Sequence, residues 1–189
     1  MSIVMNGTTI PTKKGNIKFN GTEITEVICN GTSVWKVVTD PIYIIKAGEV
    51  QTGYTNPTCY HNGHTGRTGY ILLGSGVYVY GLYAHTVGSA NCWYVVTDDV
   101  QTEGASTIEV ELRLLVSGNG VNKTVTVNIY SGDTIIGTQI FTGTNYEDVF
   151  TYTCDISGYS SISIELKSAT IGNSTNAWVG FGIVNAVLK

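Results

Sequence analysis

The sequence predicts an all-β protein, with a small N-terminal β-meander followed by a β-sandwich of the jelly-roll kind. Gly, Thr, Tyr, Val and Ile dominate the composition, while charged residues make up only 13% of the chain. These residue types suit turns and strands better than helices. Apolar residues also recur at every second position in several segments, which is the period of a strand with one buried face. No segment shows the 3.6-residue apolar period of an amphipathic helix.

The meander is predicted from a triplet, Asn-Gly-Thr, that occurs at Asn6–Thr8, Asn20–Thr22 and Asn30–Thr32. Asn-Gly readily adopts the positive φ angles of a two-residue hairpin turn, and the Thr that follows favours an extended strand. We therefore predict a three-stranded meander over residues 17–38. Because three short strands bury little apolar surface, this meander needs another surface to pack against.

Pro41, which follows Asp40, marks the predicted boundary between two domains, since proline cannot continue a ladder of backbone hydrogen bonds. Residues 1–40 are assigned to the meander module and residues 41–189 to the sandwich. About ten short strands separated by glycine-rich turns are typical of two packed sheets. The predicted strands are residues 42–47, 70–73, 77–84, 93–98, 107–116, 124–129, 134–141, 147–154, 162–167 and 177–188.

Charge and hydropathy exclude two classes of partner. The formal net charge is −4, and the ten basic residues are scattered along the chain, which argues against a nucleic-acid surface. No run approaches the roughly 20 apolar residues of a membrane helix. Residues 1–15 lack the features of a secretory signal, so we expect assembly in a cytoplasm.

No catalytic motif is present. The acidic pairs Asp98-Asp99 and Glu147-Asp148 lie at predicted strand ends, where charged side chains are usually solvated, and nothing brings either pair toward a second carboxylate. We expect no enzymatic activity and no cofactor.

The best metal candidate is the group Cys59, His61 and His64, because thiolate and imidazole are the ligands that zinc prefers. The spacing Cys-x-His-x-x-His is not a recognised ligand pattern, so we interpret the histidines as solvated loop residues and expect no metal. The four cysteines, which lack a Cys-x-x-Cys pair, are interpreted as buried free thiols.

Tyrosine and tryptophan are concentrated in one interval of the chain, at Tyr54, Tyr60, Tyr70, Tyr78, Tyr80, Tyr83, Trp93 and Tyr94. One interpretation is that these rings line the core between the sheets or a contact between subunits. The other is a glycan site at the end of the domain, since aromatic rings with polar tips stack well on sugars. The candidate residues for that site are Tyr54, Tyr60, His61 and Trp93, with the loop of residues 48–69 forming its wall.

Residues 17–36, IKFNGTEITEVICNGTSVWK, resemble a segment near the N-termini of structural proteins of tailed bacteriophages that infect Gram-positive bacteria. Ile44–Gly48 and Asp155–Tyr159 resemble parts of the β-sandwich domains appended to phage tail and fibre proteins. The resemblance implies a virion component whose N-terminal module docks on the particle and whose sandwich projects outward. No long repetitive shaft separates the two parts, which favours a short appendage, decoration protein or baseplate subunit.

The leading hypothesis is therefore a non-enzymatic phage structural protein, assembled in the host cytoplasm with other virion proteins as a homo-oligomer, a trimer by analogy with fibres. Its docking residues would be Ile24, Val27, Val34 and Trp35, buried in a partner or, alternatively, against residues 42–189 of their own chain. The sandwich would bind a host-surface glycan or only decorate the particle.

The alternative hypothesis is a bacterial carbohydrate-binding or adhesin module. It predicts a monomer with a planar aromatic platform. A glycan hydrolase is the third hypothesis, for which the sequence offers no catalytic pair.

Overall fold

The computed structural model divides the chain at Asp40 and Pro41 into two compact units, Met1–Asp40 and Pro41–Lys189. In the first unit the structure describes the backbone of six short strands. In the second it describes residues 41–60, 65–86, 93–102, 105–117, 124–145, 147–168 and 177–189. The side chains of residues 1–40, 60, 65–67, 82–86, 93–95, 115–117 and 177–179 are outside this description. No helix long and apolar enough to cross a membrane occurs in the described segments.

The described strands of the first unit pair as three antiparallel hairpins. They are β1 (Ile3–Met5), β2 (Thr8–Ile10), β3 (Lys18–Phe19), β4 (Thr22–Glu23), β5 (Glu26–Cys29) and β6 (Thr32–Lys36). β1 pairs with β2, β3 with β4, and β5 with β6. Each pair is separated in sequence by one Asn-Gly dipeptide, as hairpin turn chemistry predicts. The predicted middle strand, residues 22–29, is divided into β4 and β5.

The second unit contains the strands of the sandwich. They are β7 (Ile42–Lys46), β8 (Glu49–Val50), β9 (Thr58–Tyr60), β10 (Thr65–Leu72), β11 (Tyr78–Thr86), β12 (Trp93–Val96), β13 (Val100–Gln101), β14 (Thr107–Ser117), β15 (Thr124–Ser131), β16 (Thr134–Thr142), β17 (Asp148–Asp155), β18 (Ser161–Ser168) and β19 (Ala177–Leu188). The longer strands match the sequence prediction except for β10, which begins at Thr65, within the predicted loop of residues 48–69, whereas the predicted strand begins at residue 70. The sequence pattern does not predict β8, β9 and β13, which have only two or three residues each.

These strands form two antiparallel sheets. The first has the order β10-β11-β19-β14-β17, and β7 pairs with the C-terminal part of β19 and with β8. The second has the order β16-β15-β18-β12-β9, and β13 pairs with the beginning of β18. The predicted all-β sandwich is confirmed.

One apolar core lies between the two sheets. Side chains that are completely buried come from the first sheet, as in Leu112 and Phe181, and from the second, as in Val127 and Leu166. The apolar residues of β14 face the core, as the alternating pattern predicts: Ile108, Val110, Leu112 and Leu114 are all 0% exposed. Burial of this alternating apolar set on both inner faces is the main stabilising contribution to a sandwich.

The β7–β8 hairpin is held tightly against β11. Gly48, between the two strands, has a φ of +76°, and its amide donates to the Val184 carbonyl at 2.8 Å. A Cβ atom at Gly48 would lie 2.6 Å from the backbone of Tyr78, so only glycine fits this turn. The hairpin thereby fixes the start of the loop that follows β8.

Candidate functional site

A β-bulge interrupts the pairing with β18 between β12 and β13 in the second sheet. Both strands pair with β18, with Val96 opposite Glu165 and Val100 opposite Ile162. Three residues, 97–99, therefore stand opposite the two residues 163 and 164. Such an extra residue bends a strand and redirects its side chains, and bulges are frequent beside functional sites.

Thr97 anchors this bulge. It is 2% exposed, and its amide donates to the Ile164 carbonyl at 3.0 Å. The Ile164 amide in turn donates to Thr97 Oγ1 at 2.9 Å. The Thr97 hydroxyl thus takes the place of a backbone carbonyl as the acceptor for the Ile164 amide. The two residues that follow, Asp98 and Asp99, are exposed at the surface.

A tight turn on the other side of the site positions Tyr54. The Tyr54 amide donates to the Gln51 carbonyl at 3.2 Å, and Gly53 has a φ of +96°, as the third residue of a type II turn requires. The Gln51 amide donates to Ile44 in β7 at 3.0 Å. Tyr54 is half-buried and packs against the edge of the main core.

The turn and the bulge enclose a cleft of about 300 Å³. The buried residues Ile44 and Val100 line it, together with Tyr54, Asp98 and Asp99. The remaining lining residues are Thr52, Gly53, Thr55, Thr97 and Gln101. We call these ten residues the loop cleft. It combines two buried apolar residues, one aromatic residue and two acidic residues with threonines and a glutamine.

The four predicted glycan residues are placed as follows. Tyr54 lines the loop cleft together with Asp98, which follows the C-terminal end of β12. Trp93 is the first residue of β12 and is in register with Ser168. It lies about 16 Å from Asp98 along the strand, at 3.3 Å per residue. Tyr60 lies in β9, in register with Tyr94. The side chains of Tyr60 and Trp93 and the whole of His61 lie outside the described residues.

The acidic pair of the loop cleft is the part that the sequence analysis missed. Asp98 and Asp99 were interpreted as solvated strand-end carboxylates, and both are indeed exposed. Their position beside Tyr54 depends on the pairing of β12, β13 and β18, which alternation alone does not show. The second acidic pair, Glu147-Asp148, is not part of the cleft: Asp148 accepts from the Asn145 amide at 2.8 Å, and these turn hydrogen bonds lower its pKa.

Cys59 belongs to the interior of the domain. Its thiol donates to the Gly81 carbonyl at 3.4 Å, and burial raises its pKa. His61 and His64 lie outside the described residues. Among those that are described, no three His, Cys, Asp or Glu side chains form a metal-binding group. The thiols of Cys59 and Cys154 are both free.

A second polar surface lies on the outer face of the second sheet. Asn128 donates to Glu165 Oε1 at 2.8 Å and accepts from the Thr138 hydroxyl at 2.6 Å. Tyr130 donates to the same Glu165 oxygen at 3.1 Å. Partial burial and the adjacent Glu165 carboxylate raise the pKa of Tyr130. We call these four residues the polar face.

The tyrosines of the first sheet divide between the two interpretations drawn from the sequence. Tyr80 packs against the main core. Tyr78, on the same face of β11, is 38% exposed and stacks on Tyr70, which is 53% exposed, with ring centroids 4.5 Å apart. Leu72 beside them is also 53% exposed. Because the two rings cover one another, this pair offers less free ring surface to a ligand than separate rings would.

The predicted docking residues of the first unit have no described side chains. Val27 of β5 and Trp35 of β6 are in register with each other, and Val34 lies in β6. Ile24 lies outside the described residues. Their burial in a partner therefore stays a prediction.

No family model matches this chain, and no curated protein matches it in sequence. Solved structures do match its fold. One is the structure of TmCBM61 in complex with beta-1,4-galactotriose, with a TM-score of 0.51 and 10% identity over 72% of this chain and 90% of that one.

Two further structures match at a TM-score of 0.50. The K1 cleaved adhesin domain of Lys-gingipain from Porphyromonas gingivalis W83 is 10% identical, over 80% of this chain and 99% of that one. A structure described as carbohydrate-binding modules from the beta-sandwich superfamily is 9% identical, over 82% of this chain and 65% of that one. At these identities the likeness shows a shared fold.

Proposed function

We propose that residues 41–189 form a non-catalytic glycan-binding domain and that the loop cleft is its binding site. The observation that carries this proposal is that the half-buried Tyr54 and the exposed Asp98 and Asp99 line one cleft together with the buried Ile44 and Val100. A cleft of about 300 Å³ is at the lower end of the range for small-molecule sites, which suits one or two sugar rings.

Each part of the cleft matches one part of a sugar. The C–H face of a pyranose ring is apolar and would pack on the Tyr54 ring. Its hydroxyls donate hydrogen bonds, which the carboxylates of Asp98 and Asp99 would accept as charge-assisted bonds. Thr97 fixes the backbone that precedes both residues through its two hydrogen bonds to Ile164, which lowers the backbone entropy that would be lost on binding.

The fold supports this proposal. Two of the three matched structures reported above are described as carbohydrate-binding modules and the third as an adhesin domain. Since many functions share the β-sandwich fold, the fold supports the proposal by analogy, and the proposal rests on the residues of the loop cleft.

The arrangement of the acids favours binding over hydrolysis. A glycosidase places two carboxyl groups on either side of the scissile bond. Asp98 and Asp99 are adjacent in the chain, and no other acidic residue is among the residues that line the cleft. Glu147 and Asp148 belong to a separate turn and supply no opposing group there.

Isothermal titration calorimetry with a panel of neutral oligosaccharides that includes beta-1,4-galactotriose tests this proposal. For a glycan that binds the wild type, Tyr54→Ala should weaken affinity about tenfold, because it removes the stacking surface. Tyr159→Ala, at a tyrosine that is 40% exposed elsewhere on the domain, is the matched control and should leave affinity unchanged. Equal affinity of the Tyr54→Ala variant and the wild type would overturn the assignment of the cleft.

A second candidate function is the phage virion component. The observation that favours it is the division of the chain at Asp40 into a small hairpin unit and a separate sandwich, as a docking module with a displayed domain requires. Native mass spectrometry tests the expected homo-oligomer. A strict monomer in which the amides of residues 22–36 are protected from hydrogen exchange would contradict docking through this unit.

A further inference from the structure

The loop cleft carries two negative charges that no basic residue of its lining balances. Asp98 and Asp99 are the charged residues among the ten that line it, and both are exposed. No lysine, arginine or histidine is among the described residues of this lining. Since consecutive Cα atoms are about 3.8 Å apart, the two charges are concentrated in one part of the cleft.

The side chains of Asp98 and Asp99 do not take part in the internal contacts that occupy other carboxylates at turns. Asp148, for example, accepts from the Asn145 amide at 2.8 Å. Within the described part of the chain, the side chains of Asp98 and Asp99 make no hydrogen bond and no ion pair. Both carboxylates are therefore available to a ligand.

A ligand in the loop cleft is close enough to sense both charges. A cleft of about 300 Å³ is comparable in width to the Debye length at physiological ionic strength, which is about 8 Å. Salt therefore screens the two carboxylates only in part for a ligand that is bound there. The resulting potential favours cationic ligands and disfavours anionic ones.

Tyr54 adds a second kind of group that favours a cation. It is half-buried and lines the same cleft. The face of an aromatic ring attracts an ammonium group through the quadrupole of the ring. The carboxylates would accept charge-assisted hydrogen bonds from the N–H groups of the same ammonium. The cleft thus combines one aromatic residue with two acidic residues, and both kinds of residue bind ammonium groups.

We propose that the loop cleft binds glycans that carry protonated amino groups, such as beta-1,4-linked glucosamine, in preference to neutral and acidic glycans. This inference rests on the proposed function, because it names the substrate class of the same site. The ammonium group binds to Asp98 and Asp99, and the sugar ring packs on Tyr54. Acetylation of the amino group removes its positive charge, so an N-acetylated glycan loses this contact. A carboxylate on the sugar is repelled by the same two residues.

Three beta-1,4-linked trisaccharides provide the test, because they differ only in the substituent on the second carbon of each ring. The trimers of glucosamine, N-acetylglucosamine and glucose carry an ammonium, an acetamido and a hydroxyl group there. Isothermal titration calorimetry at about pH 6, where an amino group of this kind is protonated, measures the three affinities. The wild type should bind the glucosamine trimer at least about tenfold more tightly than either neutral trimer. An equal or weaker affinity for the glucosamine trimer, or no binding of it, would overturn the inference.

Two double variants show whether the acids of the cleft cause this preference. The double variant Asp98→Asn, Asp99→Asn keeps the shape and one acceptor oxygen of each side chain, and should bind the glucosamine trimer at least about tenfold more weakly than the wild type. The double variant Asp133→Asn, Glu147→Gln is the matched control, because it removes two acidic charges outside the cleft and keeps an acceptor for the Ser75 amide. It should change the affinity by less than about twofold. Equal losses in the two variants would show a nonspecific attraction to an acidic protein and would overturn the inference.

Ionic strength separates the recognition of charge from the packing of the sugar ring. An increase from about 0.01 M to about 1 M shortens the Debye length from about 30 Å to about 3 Å. The affinity for the glucosamine trimer should fall at least about fivefold over this range, and an affinity independent of salt would contradict the assignment. A neutral oligosaccharide that binds through Tyr54, without any gain from an amino group, would overturn this inference and leave the proposed function in place.

Discussion

Thr97→Val tests the link between the fold and the loop cleft. Valine keeps the branched shape of threonine but lacks Oγ1, the atom that accepts from the Ile164 amide at 2.9 Å. Thr97 is 2% and Ile164 0% exposed, so water cannot replace the acceptor. Leaving this donor unsatisfied should lower the free energy of unfolding by about 1–3 kcal/mol. For a domain of this size, each kcal/mol corresponds to a shift in melting temperature of about 2–4 °C.

Urea denaturation followed by far-ultraviolet circular dichroism measures this loss. Thr151→Val is the matched control, because Thr151 is an exposed residue of β17, where the change should stay within about 0.5 kcal/mol. Hydrogen exchange at the Ile164 amide should also accelerate in the Thr97→Val variant. Equal stability of the two variants, with unchanged exchange at Ile164, would refute the claim that the Thr97 hydroxyl anchors the bulge.

Three other perturbations follow from the structure. Gly137→Ala should destabilise the protein by about 1–3 kcal/mol in urea denaturation, because the new methyl group would contact Cys154 Sγ and lie 2.6 Å from the Tyr152 hydroxyl; wild-type stability would contradict this packing. Asp148→Asn should be less stable than the wild type at neutral pH. Since the folded pKa of Asp148 is lowered, the difference should shrink as the pH falls below about 4, and a gap independent of pH would contradict it. Burial first, then Cys154, raises the pKa of Tyr152 to about 12, so this residue should add stability below about pH 10 that is lost toward pH 12. Absorbance titration at 295 nm of the wild type and of Tyr152→Phe measures it. The transition present only in the wild type should lie near pH 12, and a transition of Tyr152 at its ordinary value would contradict the assignment.

The sequence was sufficient to predict the parts of the fold that depend on local pattern. Alternation in β14 is regular because Ile108, Val110, Leu112 and Leu114 all face one core, so its period and its buried face could both be inferred. The Asn-Gly dipeptides likewise predict the hairpins of the first unit from turn chemistry alone. β8 and β13, with two residues each, are too short to show any period.

The candidate sites could not be predicted because they depend on pairing between distant segments. Asp98 and Asp99 belong to a site because three residues stand opposite two in β18, and this count requires the register. Tyr54 was a candidate because of its residue type. Its place in the same cleft as Asp98 and Asp99 depends on the turn of residues 51–54, which is hydrogen-bonded to Ile44 of β7.

The most direct test of the account is a map of backbone amide shifts as a bound neutral oligosaccharide is titrated into the ¹⁵N-labelled protein. We predict that the largest shifts lie in residues 52–55 and 97–101, on the two walls of the loop cleft. Shifts centred instead on the polar face, at Asn128, Thr138 and Glu165, would contradict the assignment of the site. The absence of any shift with every sugar of the panel would contradict glycan binding itself.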